Sequence, residues 1–208
     1  MFLSFLRSHL MAVLLFFTLI LLHLLQEQLQ PLFEFNRTAI YEGQWWRLVT
    51  AHLFHTNNWH LLMNLGGFVL IMLLHGVYYS NRRFVLNLFL GNLLIGLALL
   101  CWSPDISFYV GLSGWLHALL VCGCCIDIER QWSSGWLILL AVFGKVIWEQ
   151  WQGASTEVVT LIGADVATDA HLFGAIVGLL LYVSMLFRRT VALTSTTMTT
   201  ASNKHSAE

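Results

Sequence analysis

From residue 9 to residue 187 the chain alternates between long apolar runs and short polar turns. That alternation limits the folds open to it more than any other feature, because a helix needs about 20 apolar residues to cross a bilayer. The runs fall at about 9–25, 58–77, 84–101, 111–126, 134–151 and 169–187, and the charges gather between them. Only 10% of the 208 residues are charged and 58% are hydrophobic, with a mean hydropathy of +0.73. A soluble domain carries roughly 25% charged residues, so the composition excludes one, and it excludes a disordered chain as firmly. A net charge of −1 leaves no basic field for nucleic acid.

The pattern predicts an all-α integral membrane protein, a bundle of six transmembrane helices within 1–189, with an outer loop at 26–57 and a disordered cytoplasmic tail at 190–208. The first run is followed by Gln26-Glu27-Gln28 rather than a small-residue cleavage site, so it reads as a retained helix. The outer loop holds Leu32, Phe33, Phe35, Trp45 and Trp46, which suit a segment lying at the bilayer surface. With six crossings, Arg7, Arg82, Arg83, Arg130, Arg188, Arg189 and Lys204 share one side, and the positive-inside rule puts both termini in the cytoplasm. Cys101, Cys122, Cys124 and Cys125 read as small apolar residues, since neighbours on one helix lack the converging geometry of a disulfide.

Polar residues inside apolar runs carry the functional signal, because solvating them there is costly unless they line a cavity or pair. His60 and Asn64 are one turn apart at the outer end of the second run. Ser113 opens the fourth within Gly111-Leu112-Ser113-Gly114, and His171 opens the sixth. Topology alone brings all four to a similar outer depth. A serine hydroxyl needs a base to become a nucleophile, and neutral imidazole is the usual one. Ser113 with His171 supplies that pair, while His60, Asn64 and the Ser113 N–H suit an oxyanion. Taken singly, each residue has a plainer reading: a helix serine bonding back to its own backbone, a histidine or asparagine as interhelical glue, and Gly174-x-x-x-Gly178 as a packing face. Gly174 and Gly178 nevertheless lie on the His171 face, so close packing there would bring the histidine to the serine. Lys145 and Glu149 have the spacing of an ion pair on the fifth helix. Thr168 or Asp169 reads as the cap of the sixth, and Asp169 points away from His171. A metal site at His52, His55 and His60 is disfavoured, since no carboxylate or thiolate accompanies them at useful spacing.

These residues resemble the rhomboid family of intramembrane serine proteases. The likeness runs through Trp46-Arg47, His55, His60-Leu-Leu-Met-Asn64, Gly111-Leu-Ser113-Gly114 and Ala170-His171-Leu-Phe-Gly174-Ala-Ile-Val-Gly178. It implies Ser113 as nucleophile, His171 as general base, and an oxyanion hole of His60, Asn64 and the Ser113 amide. It also implies support from Trp46, Arg47, His55, Gly111, Gly114, His117, Gly174 and Gly178, with no cofactor and no metal. Position 117 is often Tyr in the wider family. A His there can stack in the same way, but it can also titrate or hydrogen-bond.

The runs Gly43-Gln-Trp-Trp46-Arg47-Leu-Val-Thr-Ala-His52, Gly111-Leu-Ser-Gly-Trp-Leu-His117 and Gly163-Ala-Asp165-Val-Ala-Thr-Asp169-Ala-His171 are most similar to the rhombosortase branch. That likeness implies a bacterial inner-membrane enzyme with its site toward the periplasm. Its partners would be the lipid bilayer and membrane-anchored substrates carrying a C-terminal Gly-Gly motif, one membrane helix and a basic end. The other readings are a general rhomboid protease with different single-span substrates, or a catalytically silent client-binding relative. A transporter fits less well, because the polar groups gather in one leaflet only.

Overall fold

The computed structural model describes residues 7–205, with side chains described as far as Phe187. The tail expected at 190–208 lies outside these fully described residues. The apolar runs form α1 (Leu10–Leu24), α5 (Asn58–His75), α6 (Asn81–Trp102), α7 (Ser113–Glu129), α8 (Ser133–Gln152) and α10 (Thr168–His205). Shorter elements join them: α2 (Gln26–Phe33), α3 (Arg37–Tyr41), α4 (Arg47–Thr50) and α9 (Thr156–Ile162). The extended pairs β1 (Phe35–Asn36) and β2 (Phe108–Tyr109) lie antiparallel, Phe35 opposite Tyr109.

Among the described residues the bundle is all-α apart from that two-residue ladder. Among them three helices are long and apolar enough to cross a membrane: Asn58–Tyr78, Asn81–Trp102 and Thr168–Phe187. A fourth joins them if α1 and α2, bent by 105°, form one broken span. Two of the six expected spans fall short of that standard, for different reasons. Helix α7 has 17 residues, about 25 Å at 1.5 Å per residue, less than a hydrocarbon core of about 30 Å. Helix α8 is long enough but carries Lys145, Glu149 and Gln150 toward its end. The outward faces are those of a membrane protein: Leu62, Leu70, Leu73, Val77, Leu137 and Leu140 are all exposed. Exposed tryptophans flank α8, Trp132 and Trp136 at its start and Trp148 and Trp151 at its end, as interfacial anchors do.

Helix α7 is the most enclosed element, with Trp115, Ala118, Leu119, Val121 and Cys124 fully covered. Its small residues set the crossing with α10. A Cβ on Gly174 would come within 2.0 Å of the Gly114 carbonyl oxygen, and one on Gly178 within 2.6 Å of that of Ala118. Side chains at either position would force the helices apart. Helix α8 closes the other side with Val142 and Val146, packed with Val121 and Cys125 of α7 and Ala175 of α10.

The connection between α1 and α5 is tied down by two arginines. Arg37 donates to the carbonyls of Leu99, Leu100, Ser103 and Ile106, binding the end of α6 and the turn that follows it. Arg47, 5% exposed, donates to the carbonyls of Pro31 and Glu34 and to Gln44 Oε1. Trp46 Nε1 reaches the Leu32 carbonyl at 3.1 Å. Together these contacts stitch α2 to α4 and hold the loop over one end of the bundle.

Candidate active site

Ser113 is the first residue of α7, and the chain enters it through Gly111 at φ +137°. That left-handed region suits glycine alone, and space demands glycine as well, because a Cβ there would lie 2.9 Å from His60 Cε1. The Tyr109 hydroxyl donates to the Gly111 carbonyl at 2.5 Å, and the Gly111 N–H reaches the Ala51 carbonyl. The turn is thereby fixed from both sides. As a first-turn residue Ser113 has a backbone N–H with no acceptor inside its own helix.

The close crossing of α7 and α10 sets Ser113 Oγ 2.8 Å from His171 Nε2. His171 is 6% exposed. Its ring lies on His117, with centroids 4.4 Å apart and planes inclined by 20°. His117 in turn directs Nδ1 at the Ser113 carbonyl, 2.8 Å away.

The other nitrogen of His171 has a partner that sequence reasoning missed. Glu149 Oε2 of α8 stands 2.8 Å from Nδ1, while Glu149 Oε1 accepts from Lys145 Nζ at 2.6 Å. The expected Lys145–Glu149 pair is formed, but it also abuts the histidine. Asp169 is bound elsewhere: it accepts from the Ser103 hydroxyl.

A cavity of about 220 Å³ opens beside the serine, lined by Ser113, His60, Thr56, Tyr109, Val110 and Asp165 among others. The Thr56 N–H donates to His60 Nδ1 at 3.3 Å, which leaves Nε2 as the protonated nitrogen, a donor at the cavity wall. Asn64 sits differently. It is buried, its amide donates to the His60 carbonyl at 3.0 Å, and it is absent from the cavity lining. Its second N–H is left for other use, so it braces the His60 turn first. His55 lies edge-on to His60 with ring centroids 5.1 Å apart. Burial, helped by the neighbouring imidazoles His60 and His23, lowers its pKa to about 3. Burial alone takes His52, which faces the Tyr109 hydroxyl at 3.3 Å, to about 4. Both rings are therefore neutral packing groups at ordinary pH.

The helical bundle thus seats a serine against a histidine beside a cavity of mixed polar and apolar lining. A family model described as the rhomboid domain matches residues 42–189, and the chain belongs to the rhomboid family. No individual curated protein matches it. Family and architecture together accord with intramembrane proteolysis in general.

Proposed function

We propose that the chain is an intramembrane serine endopeptidase in which Ser113 attacks the peptide carbonyl and His171 is the general base. The observation that carries this reading is the 2.8 Å approach of Ser113 Oγ to His171 Nε2 at the wall of the cavity. In the first half-reaction the Oγ–H proton passes to Nε2 as the Oγ–C bond forms, and the carbonyl π pair moves to oxygen. The resulting oxyanion takes hydrogen bonds from the Ser113 N–H and His60 Nε2–H, with Asn64 behind them. Collapse expels the amine, which takes the proton from Nε2. Water then repeats the sequence on the acyl-enzyme, and Ser113 is restored. Trp46, Arg47, His55, Gly111, Gly114, His117, Gly174 and Gly178 serve this site by holding the loop, the turn and the helix crossing. No cofactor or metal takes part in this scheme.

The finer assignment is to the rhombosortase branch, supported by the runs around Trp46, His117 and Asp165. On that reading six helices cross a bacterial inner membrane, both termini are cytoplasmic, and the site faces the periplasm. The substrates are membrane-anchored proteins ending in a Gly-Gly motif, one helix and a basic tail. Co-expression of such a substrate with wild type and with Ser113→Ala tests both levels. Cleavage by wild type alone is expected. Cleavage that persists with Ser113→Ala sinks the nucleophile. Cleavage of an unrelated single-span substrate, with the Gly-Gly-tailed one left intact, sinks the branch assignment and keeps the protease.

A further inference from the structure

A carboxylate largely withdrawn from solvent is costly unless its charge is put to use. Glu149 is 11% exposed at its side chain. Val142, Val146 and Glu149 recur at helical spacing, so the carboxylate continues the buried stripe that α8 turns toward α7 and α10. It meets His171 there. We propose that Glu149 is a positioning residue for His171, making the site a Ser113–His171–Glu149 array rather than a two-residue one. This rests on the Ser113–His171 reading above.

The argument is one of tautomers. Nε2 must present a lone pair to the Ser113 hydroxyl, which requires the proton of neutral imidazole to sit on Nδ1. Two groups of α8 face Nδ1. Lys145 Nζ, at 3.5 Å, could only donate to it and would favour the wrong tautomer. Glu149 Oε2, at 2.8 Å, can only accept while ionised, so it holds the proton on Nδ1. The shorter contact wins, and Lys145 is drawn off to the other carboxylate oxygen at 2.6 Å. When Ser113 gives up its proton, the imidazolium that forms already has an anion against it. His117 fixes the ring plane from the opposite side, so the ring is held on three sides: by carboxylate, by hydroxyl and by the stacked imidazole.

The plainer alternative makes Glu149 half of a surface ion pair with Lys145 and nothing more. Labelling of the purified full chain with a fluorophosphonate separates the two. In that reaction Ser113 Oγ bonds to phosphorus, fluoride leaves, and the serine proton passes to His171 Nε2. Glu149→Gln keeps the shape and removes the charge. Glu149→Leu removes the buried polar group altogether, so it tests the idea even if the amide disturbs folding. Both are expected to lower the labelling rate at saturating probe by about 100-fold or more, with the half-saturating concentration within about threefold. Lys145→Met is expected to stay within about fivefold of wild type. Rates within threefold of wild type for both Glu149 variants, or a Lys145→Met as slow as Glu149→Gln, would overturn the proposal. Ser113→Ala is the internal control: if it still labels, the nucleophile is wrong, whereas an unlabelled Ser113→Ala beside a fully active Glu149→Gln sinks only the role of Glu149.

Discussion

Helix α7 presents a histidine–carboxylate pair at each of its ends. At its start His171 lies between Ser113 and Glu149, with His117 stacked on the ring. Near its other end, about 21 Å away by helical rise, His75 Nε2 donates to Asp127 Oδ2 at 3.1 Å, and Tyr78 stacks on that ring. Each centre thus has an imidazole, a carboxylate largely withdrawn from solvent and an aromatic wall. They differ in what meets the second ring nitrogen. His171 Nε2 faces a hydroxyl beside a cavity. His75 Nδ1 faces Gly123, where a Cβ would lie only 2.3 Å from it, and Asp127 is closed off by the Tyr78 hydroxyl at 2.5 Å. On the proposed mechanism a histidine–carboxylate pair makes a reactive centre only when its far nitrogen is left something to act on. Otherwise it ties helices together.

The sharpest way to break this comparison is to delete each imidazole in turn. His171→Ala is expected to lower fluorophosphonate labelling by more than about a thousandfold, and adding Ser113→Ala should make matters no worse, because the two residues act as one unit. Its thermal midpoint should move little. His75→Ala is expected to do the opposite. It leaves Asp127 buried with only Tyr78 for a partner, a loss of about 3–5 kcal/mol, while the folded fraction labels at the wild-type rate. If His75→Ala slows labelling of protein that is still folded, the two ends are not separable.

The two centres were unequally legible in the sequence. Apolar runs between charged turns predict the helices, and Ser113, His171 and His60 can be brought together from topology alone, since each opens an apolar run from the same side. Gly174 and Gly178 lie on the His171 face by spacing, which explains why the helix crossing could be foreseen. Glu149 was legible only as a partner for Lys145. Which residues of α8 turn inward depends on how that helix rolls against α7 and α10, and the 142–146–149 stripe was the one available signal. Asn64 was expected at the oxyanion, but its amide bonds first to the His60 carbonyl. Thr168 or Asp169 was read as the cap of the sixth helix, and no spacing rule pointed to the bond that Asp169 accepts from the Ser103 hydroxyl. The grip of Arg37 on backbone carbonyls left no trace, because carbonyl acceptors are identical in every residue, and the support from Arg47 was expected only through the family resemblance. His75 with Asp127 went unseen for want of any spacing rule that joins two separate helices.

Acid offers a second, smaller contrast, since His52 and His55 are buried with no carboxylate paired to them among the described residues. Their pKa values are lowered to about 4 and about 3, against 6.5 for the free side chain. Between those limits the unfolded chain takes up protons that the folded chain refuses, so stability rises with pH through that window. The stability these rings contribute is complete above about pH 6.5 and is lost progressively as pH falls toward 3. Thermal midpoints taken from pH 7 to pH 4 should therefore decline, and His55→Gln should flatten the decline. Parallel curves for wild type and His55→Gln would show that the ring does not resist protonation in the fold.

The smallest expected effect lies at His117, where the walls of the two centres differ. His117 sits 4.4 Å from the His171 ring, whereas Tyr78 sits 5.9 Å from His75, at nearly the same inclination. On the proposed mechanism the closer wall belongs to the ring that must keep one orientation while a proton comes and goes. His117 also bonds back to the Ser113 carbonyl, a local contact of the kind that adds little to a helix. If the stack is what matters, an aromatic ring of any polarity will do, and both His117→Tyr and His117→Phe should label within about threefold of wild type. His117→Ala removes the wall and lets the His171 ring rotate away from Glu149, so it should lose about tenfold in rate at saturating probe. Normalised pH–rate profiles of wild type and His117→Tyr separate packing from charge. Superimposable curves leave His117 as a wall, and a displaced acidic limb makes it a second titrating group at the site. An alanine variant as fast as wild type would mean that Glu149 and Ser113 hold His171 without help, and the stacked neighbours at both ends of α7 would then be packing alone.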